Sequence, residues 1–92
     1  MNPMDPKLLI FPDGLKIISQ TEEIQPEEIG NPDCLLIEPF ELKNNLTLEP
    51  WLLEYTTQNK FLIHSDKVFT IAEPNPMLKQ KYEQILKPIN VS

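Results

Sequence analysis

The sequence predicts a small all-β protein, a strongly bent five-stranded antiparallel barrel followed by one C-terminal α-helix. Three observations support this prediction. Short runs of apolar and β-branched residues alternate with turn residues over most of the chain, two connections are tight enough for hairpins, and the last segment alone has helical periodicity. The 92 residues are enough for a single domain, spanning 1–92, of a size at which stability often depends on partners.

The five strands are predicted at 7–11, 15–20, 33–38, 58–64 and 67–72. A Pro-Asp-Gly turn at 12–14 joins the first two, with its glycine available for positive φ. A loop rich in proline, glycine and acid precedes the third strand, and Pro39 is expected to end or bulge it. Segment 40–57 is an insert, in which residues 51–55 form either one helical turn or an irregular cover.

The fourth and fifth strands are predicted to form a hairpin over 61–71. Aromatic and β-branched residues dominate both arms, and Ser65, Asp66 and Lys67 supply the small or turn-tolerant side chains that a tight reversal needs. In an isolated domain both strands would lie at sheet edges. Edges this apolar favour pairing with another chain. The alternative is a barrel whose edges are covered by the helix at 76–87 and the insert at 40–57.

The helix is predicted over 76–87. Asn75 can cap it, Pro76 suits the first helical position, and Pro88 stops it. Its apolar stripe consists of Leu78, Tyr82, Ile85 and Leu86. Packing on the core explains this stripe without any function, and a partner-binding helix is the alternative.

Charge is distributed unevenly along the chain. The total is −6, but residues 20–55 carry nine acidic residues and one lysine, whereas residues 56–92 carry a net charge of +2. The chain has no arginine, the residue best suited to bidentate phosphate contacts. We therefore do not expect non-specific binding to duplex nucleic acid through a basic surface.

Catalysis is not expected. The chain has one histidine and one cysteine, and it lacks a carboxylate dyad, a metal-ligand cluster or a phosphate-binding glycine loop with a defining spacing. We predict no catalytic residue, no cofactor and no metal. A single cysteine excludes an internal disulfide, and no apolar run reaches the ~18 to 20 residues of a membrane span. The expectation is a soluble protein of a reducing cytoplasm, without a membrane partner.

The segment 61–71 resembles the second signature motif of the Sm/Lsm/Hfq family, in which an apolar strand ends in Ile-Arg-Gly, turns, and returns as an apolar strand. The matching positions are Ile63, His64 in the arginine place, Ser65 in the glycine place, Val68 and Ile71. The first hairpin is similar in outline to the first motif of that family, with Ser19 where glycine is usual. The overall pattern is most similar to phage-borne Sm-like proteins.

This resemblance implies an Sm-like (SH3-type) barrel in a homo-oligomeric ring of roughly five to seven subunits, with the fourth strand of one subunit paired to the fifth of its neighbour. It also implies single-stranded RNA as a ligand, in RNA metabolism or regulation in a bacterial cytoplasm. The RNA would bind between the second-to-third and fourth-to-fifth loops. Carried over residue by residue, the RNA-binding positions are His64, Ser65, Lys67 for a phosphate, and Asn31 in the other loop.

A hypothesis of a different class is an acidic protein-interaction or assembly scaffold that does not bind RNA. In that hypothesis the segment 20–55 and an exposed Trp51 dock a basic protein. Substitution of His64 and Lys67 would abolish RNA binding under the first hypothesis and change nothing under the second. Trp51→Ala would matter chiefly under the second.

Overall fold

The computed structural model describes residues 5–44 and 47–86 of the chain. Its elements are β1 Lys7–Ile10, β2 Lys16–Glu23, β3 Cys34–Leu42, β4 Leu48–Pro50, β5 Lys60–Ile63, a 3-10 helix Ser65–Lys67, β6 Thr70–Ala72 and α1 Pro76–Leu86. The expectation of a mostly antiparallel β-protein with a C-terminal helix is confirmed. The five predicted strands correspond to β1, β2, β3, β5 and β6, and β4 is an additional strand within the predicted insert.

The first hairpin forms as predicted. β1 and β2 pair antiparallel, with Leu9 opposite Ile17. Gly14 has a φ of +94°, and its N–H donates to the Phe11 carbonyl at 2.9 Å. Because a side chain rarely tolerates this φ, the glycine allows the tight reversal.

The predicted hairpin over 61–71 is wrong. β5 pairs with β3 and β6 pairs with β1, so the two strands lie in different ladders. The residues between them form the 3-10 helix, in which the Lys67 N–H donates to the His64 carbonyl at 3.0 Å. This helical turn redirects the chain instead of reversing it within one ladder. Among the described strands, β5 and β6 each have one paired edge and one unpaired edge, as expected of strands at the edges of a sheet.

β3 bends at a bulge. The register places Ser19 of β2 opposite both Glu38 and Pro39, and Glu38 has a φ of +54°. Pro39 was expected to end or bulge the strand, and the structure forms the bulge, where the missing proline N–H costs no ladder bond. On the other edge of β3, β5 pairs with residues 34–37 and β4 with residues 40–42. The sheet therefore changes direction at this point.

Helix α1 covers one face of the sheet. Five buried side chains form the cluster between them: Ile18, Phe40, Leu78, Tyr82 and Leu86. The ring of Tyr82 meets that of Phe40 edge-on, with centroids 5.8 Å apart. Its hydroxyl donates to the Glu38 carbonyl at 2.7 Å, so α1 also supplies a hydrogen-bond partner to the bulge. The apolar stripe of the helix is core packing.

The start of α1 agrees with the sequence analysis. Asn75 Oδ1 accepts a hydrogen bond from the Leu78 N–H at 2.8 Å, and Pro76 is the first helical residue. The predicted end of the helix at 87–88 lies outside the described residues. Within the described ranges, no helix is both long enough and apolar enough to cross a membrane.

The opposite face of the sheet is also buried. Leu9, Ile17 and Leu36 are fully inaccessible to solvent. Leu9 and Ile17 are direct cross-strand neighbours, and alternation along β2 puts them on the face opposite to Ile18. A sheet of this size that buries both faces must curve, which agrees with a barrel-like fold.

The insert contains β4 and an irregular turn. The Trp51 N–H donates to the Pro39 carbonyl at 2.9 Å, which attaches the turn to the bulge. Trp51 was expected to be exposed, but it is half-buried and packs on Phe61 with ring centroids 5.2 Å apart. Leu52 has a φ of +62°, a conformation that side chains other than those of Asn and Asp rarely adopt.

Candidate functional site

Two loops that are distant in sequence meet at one end of the sheet. Residues 24–33 connect β2 to β3, residues 64–69 connect β5 to β6, and we call them together the loop pair. β3 and β5 are antiparallel neighbours with Cys34 opposite Ile63, so the start of one strand and the end of the other lie side by side. The Asp33 N–H donates to the Ile63 carbonyl at 3.2 Å, which extends this pairing into the loops.

One carboxylate joins the two loops. Asp33 Oδ1 accepts from the Ser65 N–H at 2.8 Å, and Asp33 Oδ2 accepts from the Ser65 hydroxyl at 2.7 Å. These two hydrogen bonds favour the charged carboxylate and therefore lower the pKa of Asp33, the N–H more than the hydroxyl. Ser65 is thus held by both its backbone and its side chain.

A second contact joins the loops through a histidine. His64 Nε2 lies 2.9 Å from the Gly30 carbonyl oxygen. Because a carbonyl oxygen can only accept, Nε2 carries the hydrogen in this contact. Gly30 has a φ of +98°, so the loop reaches His64 through a backbone conformation that favours glycine.

All four residues predicted for RNA binding lie on the loop pair. His64 and Ser65 make the contacts between the loops, whereas Lys67 and Asn31 have exposed side chains. The Asn31 N–H donates to the Glu28 carbonyl at 3.2 Å, within its own loop.

Sequence reasoning missed two residues of this contact, Asp33 and Gly30. A signal for Asp33 existed, since it is the first residue of the third predicted strand. The start of that strand shares an edge with the end of an antiparallel neighbour. No such signal identified the carbonyl of Gly30.

Negative charge dominates the loop pair. Within 24–33 and 64–69, the charged side chains are Glu27, Glu28, Asp33 and Asp66 against Lys67. A pocket beside the first loop also has acidic side chains in its lining, which consists of Glu23, Ile24, Gln25, Pro26 and Asp33. A polyanion at this site would meet more carboxylates than ammonium groups.

The arrangement is suited to binding or to holding the two loops together. The Ser65 hydroxyl donates to a carboxylate and the His64 ring bonds to a backbone carbonyl, so the two side chains do not form a nucleophile–base pair. In the described part of the chain, no group of three His, Cys, Asp or Glu residues is placed to hold a metal ion.

The fold and the loop pair define a class: a small bent antiparallel sheet with a covering C-terminal helix and two loops joined at one sheet end. The chain belongs to a family of unknown function (DUF6561), whose model matches residues 4–87. A comparison with curated proteins gave no match. The matched range includes all strands within residues 5–44 and 47–86, the loop pair and α1.

We expect Asp33→Asn to loosen the loop pair. Ser65 donates to both carboxylate oxygens, and in asparagine one of these positions is an NH2 group that cannot accept, so one of the two hydrogen bonds is lost in this geometry. Hydrogen exchange of the amides in 24–33 should become several-fold faster in Asp33→Asn. The effect should be smaller in Ser65→Ala, and the amides of the strands should not change.

In the unsubstituted protein the contact between Asp33 and Ser65 should be intact above about pH 4 and lost as the pH falls through the lowered pKa of Asp33.

Asp66→Asn is the matched control for this substitution. Asp66 is an exposed acid of the 3-10 helix, and its replacement removes the same charge at the same loop pair. Equal exchange rates in the Asp33 and Asp66 variants would contradict a specific role of the Asp33 carboxylate.

Proposed function

We propose that the chain is a non-catalytic Sm-like module that assembles head to tail into a ring and binds single-stranded RNA at the loop pair. The order of the strands supports the assembly. β5 and β6 follow each other in sequence, yet within the described residues β5 pairs with β3 alone and β6 with β1 alone. Among the described strands, each molecule thus has unpaired edges on β5 and β6, besides that of the short β4. A contact between the unlike β5 and β6 edges of successive copies gives a ring when the rotation between copies closes.

Exposed apolar side chains on these edges also support the assembly. Leu62 of β5 is 58% exposed, Ile71 of β6 is 55% exposed, and Phe69, directly before β6, is 75% exposed. An exposed strand edge with apolar side chains favours pairing with another chain. Addition of β6 from one copy to β5 of the next would continue the sheet and cover these side chains.

The contents of the loop pair support RNA as the ligand. In each subunit the pair brings together an imidazole ring, a hydroxyl, an amide and an ammonium group, from His64, Ser65, Asn31 and Lys67. Single-stranded RNA is recognised by stacking on planar side chains and by hydrogen bonds to base edges, and lysine can contact a phosphate.

The same geometry predicts weak binding at each site. The His64 Nε2–H is already used by Gly30, and the Ser65 hydroxyl by Asp33. Four carboxylates around one lysine also repel phosphates. Useful affinity would therefore require several loop pairs of one ring to bind the same strand.

Light scattering coupled to size-exclusion chromatography, with a labelled U-rich RNA oligomer at low and moderate salt, tests the proposal. A mass of roughly five to seven subunits with co-eluting RNA is the expected result. A ring that does not retain RNA would leave the acidic scaffold as the function. A monomer would overturn the Sm-like assembly itself.

Combined His64→Ala and Lys67→Ala substitutions should weaken RNA binding roughly tenfold or more, because they remove the stacking ring and the cation of the loop pair. Fluorescence anisotropy of the labelled RNA measures the change. Lys16→Ala is the charge-matched control, since Lys16 is exposed at the start of β2, where its Nζ contacts the Gly14 carbonyl. Similar weakening by the control would show that overall charge, and not the loop pair, determines affinity.

A further inference from the structure

The turn that follows β4 exposes apolar side chains that neither the core nor the loop pair uses. We call residues 49–55 the aromatic turn. Leu53 is 58% exposed and Tyr55 81% exposed. Trp51, in the same turn, is half-buried and packs on Phe61 of β5. The turn therefore combines an exposed aliphatic and an exposed aromatic side chain with a half-buried aromatic pair.

Carboxylates lie within and beside the aromatic turn. Glu49 and Glu54 belong to the aromatic turn and are exposed. Glu41 of β3 lies directly opposite Glu49 in the ladder. Like charges at directly opposite positions destabilise a sheet. Lys16 and Lys43 line the same cavity as this pair, and Lys43 Nζ lies 3.5 Å from Glu41. A basic ligand would add to the partial relief that these lysines give.

We propose that the aromatic turn docks a basic segment of a partner protein. Lysine or arginine side chains of the partner pair with Glu41, Glu49 and Glu54, and an apolar side chain of the partner packs on Leu53 and Tyr55. Charge selects this occupant, because residues 49–55 carry two carboxylates and no basic side chain, and Glu41 lies beside them in the ladder. The same carboxylates repel RNA. They also disfavour a second copy of this chain, because that copy has a net charge of −6. The surface differs from the loop pair and from the unpaired edges of β5 and β6.

The chain has one tryptophan, and it lies in this surface. Trp51 fluorescence therefore reports binding directly. The probe is a short synthetic peptide of lysine and leucine without aromatic residues. Two reference peptides accompany it, one with glutamine in place of lysine and one with alanine in place of leucine. We expect a saturable change in Trp51 emission with the first peptide, a much smaller change with either reference, and weaker binding at higher salt.

Two pairs of substitutions test the surface while keeping Trp51 in place. Glu49→Gln with Glu54→Gln removes charge, and Leu53→Ser with Tyr55→Ser removes the apolar anchor site. Each pair should weaken peptide binding about tenfold. Matched controls on the loop pair, Glu27→Gln with Glu28→Gln and Ile29→Ser, should change it less than about twofold. All these side chains are exposed, so the variants should fold, which circular dichroism checks.

Several results would overturn the proposal. One is the absence of a saturable change in Trp51 emission. Another is equal weakening by the loop-pair controls, which would mean that net charge alone attracts the peptide. A third is an equal emission change on addition of U-rich RNA. The last is a change of oligomer mass in the Leu53 and Tyr55 variant without a change in peptide affinity, because a second copy would then cover the surface.

Discussion

Tyr82→Ala is expected to destabilise the fold by roughly 3–5 kcal/mol, and Tyr82→Phe by about 1 kcal/mol. The side chain is fully buried between α1 and the sheet, where its ring contacts Phe40. The alanine variant loses this packing and leaves a cavity. The phenylalanine variant loses only the hydroxyl, and with it the hydrogen bond to the Glu38 carbonyl at the bulge. Small domains are stable by about 5–15 kcal/mol, so the alanine variant should be partly unfolded or close to it.

Denaturant unfolding followed by circular dichroism measures both effects. Tyr55→Ala is the matched control. Tyr55 is the other tyrosine of the chain and is 81% exposed, so its loss should change the free energy of unfolding by less than about 0.5 kcal/mol. Equal destabilisation by the two alanine substitutions would contradict the packing of α1 on the sheet.

The phenylalanine variant also has a distinct pH dependence. Burial raises the pKa of Tyr82 to about 12. In the unfolded chain this tyrosine ionises near pH 10, so the folded state binds more protons between about pH 10 and 12. The stability of the unsubstituted protein should therefore fall as the pH rises through this range. Tyr82→Phe should lose that part of the slope, whereas Tyr55→Phe should keep it.

Local signals identified the elements that depend on neighbouring residues. The turn of the first hairpin needs one residue with a positive φ. Glycine adopts such a φ most easily, and Gly14 occupies this position. Helix α1 begins where Asn75 caps it. In both places a segment of a few residues determines the conformation, so the local sequence pattern is enough to predict it.

The features that the sequence analysis missed depend on pairing between strands that are distant in sequence. Residues 65–67 suit a tight hairpin turn and a 3-10 turn equally well, and the partner of each flanking strand decides between them. The choice of β3 and β1 as partners cannot be deduced from residues 61–71. β4 has three residues and ends in Pro50, so it has too little alternation for a strand prediction.

The candidate site shows the same division. His64 and Ser65 were identified because they occupy two positions of a local motif. Asp33 was missed because its contact joins residues 32 positions apart, and that separation closes only when β5 pairs with the start of β3. The sequence analysis could predict that these two loops meet, but it could not predict which groups donate and accept the hydrogen bonds between them.

Leu62→Lys and Ile71→Lys are each expected to stop the proposed ring assembly and leave a folded monomer. Leu62 lies on β5 and Ile71 on β6, and both are exposed at unpaired edges. A lysine at an edge strand opposes strand addition, because it must lose its hydration in the contact. Met77→Lys is the control, since Met77 is also exposed but lies on α1 and not on either strand. Light scattering gives the mass, and circular dichroism confirms the fold.

A mixture of the two single variants gives the sharpest result. Leu62→Lys blocks the β5 edge and leaves the β6 edge intact, whereas Ile71→Lys does the reverse. In a head-to-tail contact one intact edge of each variant can pair, and the two blocked edges prevent further growth. The mixture should therefore form a complex of two subunits, although each variant alone stays monomeric. Self-assembly of either variant alone would contradict this expectation, because it would mean that two like edges pair and that the contact is not head to tail.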